Sequence, residues 1–83
     1  MEKFNVVINF EIWKLKMVDL LIDWDLWVVV LRTKPVGMKD EEWEVLERKA
    51  RSFIRLCLVD LVLLNVYEEK IATTLWKKLG ELY

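Results

Sequence analysis

The side chains of this 83-residue chain that could carry chemistry are 14 carboxylates, 13 basic groups and one thiol, with no histidine. Asp23, Asp25 and Asp60 stand beside apolar segments, where burial would raise a carboxyl pKa and suit it to acid–base work. No nucleophile or pocket signature accompanies them, and Asp is strongly favoured at helix caps, so the cap reading outweighs the catalytic one. Cys57 lies between Leu56 and Leu58 and shares a helical stripe with Phe53 and Ile54, a setting in which cysteine behaves as a small hydrophobe. With no histidine and one cysteine, Cys/His zinc patterns, Ser-His-Asp and Cys-His arrangements and an intrachain disulfide are excluded by residue type. Gly37 and Gly80 are too far apart to form a phosphate-cradling glycine loop. The expectation is a chain that is not an enzyme, with no cofactor, metal or small-molecule ligand.

Two further groups could bind rather than react. Arg48, Arg51 and Arg55 recur at i, i+3 and i+7 and could meet RNA phosphates. Glu44 and Glu47 stand four residues before Arg48 and Arg51, in the order that favours pairing along a helix, so a solvated, salt-bridged face is the simpler reading. RNA is therefore expected to be held weakly or indirectly. Five tryptophans could offer stacking platforms for bases, yet Trp13, Trp43 and Trp76 each fall on the apolar side of a helical pattern and read as core anchors. Trp24 and Trp27 fit a core lid and a partner surface equally well.

The elements that would position these groups are helical. Phe10, Trp13, Met17, Leu20 and Leu21 keep to one helix face, and Asn9 sits where an N-cap is wanted, which predicts a helix over residues 9–22. A short apolar piece follows Asp25; its three valines favour strand by propensity, but with no strand elsewhere to pair with it reads as a short buried helix. The one strong break is residues 32–37, containing Pro35 and Gly37. After it, Asp40, Glu41 and Glu42 precede Arg48, Lys49, Arg51 and Arg55, opposing the helix dipole, while Trp43, Leu46, Ala50, Phe53, Ile54 and Cys57 form the buried stripe. Asp60 reads as the cap of a short helix through Val66. Glu68 or Glu69 opens a last helix whose inner face is Ala72, Leu75, Trp76, Leu79 and Leu82. The expected fold is all-α, a compact bundle of about five helices forming a single domain over residues 1–83.

Composition bounds the partners. Hydrophobic residues make up 55% of the chain and charged ones 33%, with a net charge of −1, so nothing in bulk draws the chain to nucleic acid or an anionic membrane. The apolar runs are far shorter than a bilayer span, and the charged amino terminus lacks the apolar region of a signal peptide. A cytoplasmic protein without a membrane partner is expected.

The series Phe4, Asn9-Phe10, Trp13-Lys14-Leu15-Lys16-Met17, Asp19-Leu20-Leu21, Leu26-Trp27, Lys34-Pro35, Gly37-Met38, Asp40-Glu41-Glu42-Trp43-Glu44, Ala50, Ile54-Arg55-Leu56-Cys57-Leu58, Asp60, Ala72, Leu75-Trp76, Leu79 and Leu82-Tyr83 resembles the amino-terminal Gag region of copia-type LTR retrotransposons. The agreement in order and spacing runs over essentially the whole chain. The resemblance implies a helical domain like the amino-terminal half of a retrotransposon capsid, with Trp13, Leu20, Leu21, Trp27, Trp43, Ile54, Leu58, Leu75, Trp76 and Leu79 as core. It also implies a non-catalytic structural role in particle assembly.

Departures from the family pattern qualify this. Val6-Val7-Ile8 stands where the family has a glycine-containing turn, a β-prone run able to pair with another strand. Lys39 replaces a serine cap, which moves the expected cap to Asp40, and Leu61 and Ile71 replace more polar residues. A hydrophobic fraction of 55% exceeds what so short a chain can readily hide, so a homodimer or larger oligomer is expected. The contact is expected at Val6, Val7, Ile8, Trp24, Trp27, Val28, Val29, Leu61 and Ile71. The alternative is an adaptor or decoy that binds another protein or a longer Gag without assembling alone.

Overall fold

The structure, a computed structural model, describes residues 3–5 and 9–83. The first helix, α1 (Phe10–Asp23), begins where the Asn9 side-chain oxygen accepts the Ile12 N–H at 3.2 Å, the expected N-cap. Its inner side buries Trp13, Met17 and Leu21. It stops at Trp24, and Asp25 turns the chain in left-handed backbone (φ 57°), a conformation that Asp tolerates better than most residues. A single helical turn, α2 (Trp27–Val30), follows. Its valines adopt helix against their strand propensity because Val29 and Val30 are buried and the Thr73 hydroxyl donates towards both of their carbonyl oxygens, at 3.2 and 2.8 Å.

After the break, in which Gly37 adopts φ 87°, the longest helix is α3 (Asp40–Leu56). Its cap is Lys39 rather than Asp40: the Asp40 carboxylate is taken by Lys34 across the loop, and Lys39 makes no side-chain capping bond. The next turn, α4 (Asp60–Leu63), is capped by Val59 rather than Asp60 and ends short of Val66. The last helix, α5 (Ala72–Leu82), starts later than Glu68 or Glu69. Ile71 at its cap has no polar side chain, and the Glu47 carboxylate of α3 accepts the Ala72 N–H instead, so the start is set from outside the local sequence.

The fold is all-α, five helices with α3 packed on α2 and α5, and α1 on α2. No strand occurs among the described residues; one isolated parallel bridge joins Phe4 to Leu58. Phe4 N–H donates to Cys57 O at 2.8 Å and Val59 N–H donates to Phe4 O at 3.1 Å. The amino-terminal segment thus pairs within its own chain, at Phe4; Val6, Val7 and Ile8 lie outside the described residues.

Phe4 is the residue whose importance the spacing did not reveal. It is buried, with its ring 5.2 Å from Phe10, 5.3 Å from Trp13 and 5.2 Å from Tyr83. Trp13 continues the chain of rings to Trp76 at 6.1 Å, and Trp76 to Trp27 at 5.7 Å. This aromatic seam ties α1, α2 and α5 together. Of the other expected core residues, Leu21, Ile54, Leu58, Leu75 and Leu79 are fully buried, whereas Leu20, Trp27, Trp43 and Trp76 are half-buried. Leu82 is exposed, and Tyr83 packs against the core in its stead. Among the described residues, no helix is long and apolar enough to cross a membrane.

Candidate functional site

The carboxylates singled out for acid–base work are spread along the chain and face water. Asp23 ends α1, Asp25 lies in the turn after it and Asp60 is the first residue of α4; all three are exposed. Among the described residues, no group of three or more His, Cys, Asp or Glu side chains could hold a metal ion. Cys57 is half-buried at the end of α3, and burial pushes its thiol pKa up, away from the thiolate that a nucleophile requires.

The arginine stripe is divided by what the fold does with it. Arg48 is exposed, Arg51 is half-buried, and Arg55 is a structural strut whose guanidinium donates to Tyr67 O at 3.4 Å and Glu69 O at 3.1 Å. The turn before α5 hangs from that strut. The expected Glu47–Arg51 pair does not form, because Glu47 caps α5; among the described residues the ion pair present is Lys34–Asp40, and Glu44 has no such partner. Of the three arginines, Arg48 alone is open to solvent.

Apolar surface is what the fold leaves over. Residues of the turn after α1 and of α3 together line two hollows. One, about 430 Å³, is lined by Ile22, Asp25, Trp27, Val28, Pro35, Met38 and Leu46. The other, about 270 Å³, lies between Trp24, Leu26, Lys49, Ser52, Phe53 and Leu56. Of the residues expected at a contact, Trp24 is 65% exposed with its ring 5.9 Å from Phe53, and Trp27 and Val28 are half-buried in the larger hollow. Leu61, on α4, is 77% exposed and Ile71 is half-buried at the cap of α5; neither lines either hollow. Val29 is a correction: the packing of α2 against α3 and α5 leaves it fully buried, with no surface to offer a partner.

The spacing also held a stripe that the contact expectation passed over. Ile12, Leu15 and Ile22 are 50%, 64% and 52% exposed, on the side of α1 opposite Trp13, Met17 and Leu21. Their recurrence at i, i+3 and i+10 was the available signal, masked by the stronger inner pattern.

Over 98% of its length the chain is 42% identical to the "Retrovirus-related Pol polyprotein from transposon TNT 1-94" of Nicotiana tabacum. The match spans 83 residues, and the chain covers 6% of that polyprotein. In sequence the chain is therefore retrotransposon-related. No family model matches it. No solved structure matches it either.

Proposed function

We propose that this chain is a non-catalytic structural module, a copia-type Gag capsid domain that works by associating with copies of itself. The observation that carries the reading is the 42% identity to a retrotransposon polyprotein across 98% of the chain. The residue series that resembles copia-type Gag, from Phe4 through Trp13 and Trp43 to Tyr83, supports the finer assignment. So does the surface: Leu15, Trp24, Leu56, Leu61 and Leu64 are each more than half exposed, an apolar excess that association would bury. The chain acts in the cytoplasm, alone or as part of a longer Gag. RNA plays at most an indirect role, since Arg55 is spent on the Tyr67 and Glu69 carbonyls.

Molar mass by light scattering behind size exclusion, over a wide range of loading concentration, tests this. The expected result is a mass of two or more chains that grows with concentration. A 10.1 kDa monomer throughout would sink the self-associating reading. It would put in its place an adaptor or decoy that binds a longer Gag.

A further inference from the structure

We infer that α1 carries a self-complementary face on which a second copy of this chain docks antiparallel, about a two-fold axis level with Met17. The inference rests on the proposed self-association and names the face and the register. Ile12, Leu15, Asp19 and Ile22 line one side of α1, away from the buried Trp13, Met17 and Leu21. Their spacing reads the same in both directions. With the second helix reversed, Ile12 of one copy stands level with Ile22 of the other, and Leu15 level with Asp19.

Charge then selects the orientation. Lys16 is one residue from the level of the other copy's Asp19, so each lysine lies beside an aspartate across the contact and the set is neutral. A parallel, in-register pairing would oppose Lys16 to Lys16 and Asp19 to Asp19, which is repulsive. Both groups are exposed, and neither forms an ion pair within its own chain among the described residues. An isologous contact of this kind closes on itself as a dimer, and Ile22 brings its edge to the rim of the larger hollow.

Size sets the strength. A helix of 14 residues is ~21 Å long, and one helix-on-helix contact buries less than the ~800 Å² per partner of a standard stable interface. The dimer is therefore weak and concentration-dependent.

Sedimentation equilibrium on the full chain, paired with thermal melts at dilute monomer concentration, tests the face. Leu15→Glu is expected to raise the dimer dissociation constant about tenfold or more without shifting the dilute melt, since Leu15 is 64% exposed. Lys16→Asp and Asp19→Lys each weaken the dimer, and the double exchange restores it to within about threefold of the parent. A parent that dimerises while Leu15→Glu dimerises equally well overturns the face and leaves self-association standing. A double exchange no tighter than either single one overturns the antiparallel register. A parent that is monomeric at every concentration overturns this inference together with the proposed function.

Discussion

The helices α1 and α3 belong to the same small bundle but are built on opposite plans. Below its acidic first turn, α3 is apolar on one side, around Ala50 and Ile54, and mostly charged elsewhere, through Glu44, Arg48 and Lys49, with Val45 and Leu56 its exposed apolar residues. In α1, apolar residues occupy two opposite sides, Trp13, Met17 and Leu21 within and Ile12, Leu15 and Ile22 without. A helix that serves one core needs one stripe. The second stripe of α1 stays half or more exposed in the lone chain, and on the proposed reading it is apolar area kept for a second copy.

That contrast can be broken or sharpened, most forcefully on α1 itself. Leu21→Ala is expected to cost about 3 kcal/mol, the usual scale for emptying a fully buried leucine site, whereas Leu15→Ala on the outer stripe stays within about 0.5 kcal/mol. Urea unfolding at a concentration where the chain is monomeric measures both. Equal losses at the two positions would erase the distinction between the sides. On α3, Trp43 is half-buried and outside the aromatic seam, so Trp43→Ala is expected to cost about 2 kcal/mol, below the ~3–5 kcal/mol of a fully enclosed aromatic. A thermal melt of this variant that falls further than that of Leu21→Ala would show α3 to be the deeper anchor.

The contact of α3 with the start of α5 has its own test. Glu47→Ala removes the acceptor for the Ala72 N–H and is expected to cost about 1 kcal/mol, felt first as faster hydrogen exchange of the amides at the start of α5. An unchanged exchange rate there would mean that Glu47 does not set the start of α5. The smallest effect belongs to Asp40. The hydrogen bond from Lys34, and then its charge, hold the Asp40 carboxyl below the usual carboxylate range. A depressed folded-state pKa stabilises above the unfolded value, and the contribution is lost as pH falls through the folded value. The pair is open to water, so the acid-side loss is expected to be slight, weaker at high salt and absent in Lys34→Ala.

The residues make plain why parts of the fold could be read in advance. Periodicity located α1, α3 and the inner residues Ala72, Leu75 and Leu79 of α5, because a buried stripe on a helix leaves a repeat that local sequence cannot disguise, whereas α2 was readable only from the lack of a partner strand. The starts of α4 and α5 were misplaced because acidic residues signal caps locally, whereas the cap of α5 comes from Glu47, 25 residues earlier. Phe4 escaped for a related reason: a single aromatic has no period, and its partners lie in α1, at Leu58 and at Tyr83. At the candidate surface, composition showed that an apolar excess existed but not where it lay. Val29 looked available and is sealed by α3 and α5, while Ile12 and Leu15 look like a continuation of the core helix and face out.

The contact between Phe4 and Tyr83, 5.2 Å ring to ring, gives the molecule a nearly circular topology. Closing a loop that long is entropically expensive, although the cost grows only slowly with length, so the seam is expected to form after the local helices. A ribosome-bound chain completes it only once Tyr83 has emerged from the exit tunnel. The same proximity means that the order of the helices along the chain is not what holds them together. A permuted chain, with residues 4 and 83 joined by a short linker and opened at the fully exposed Val36, retains every contact of the seam.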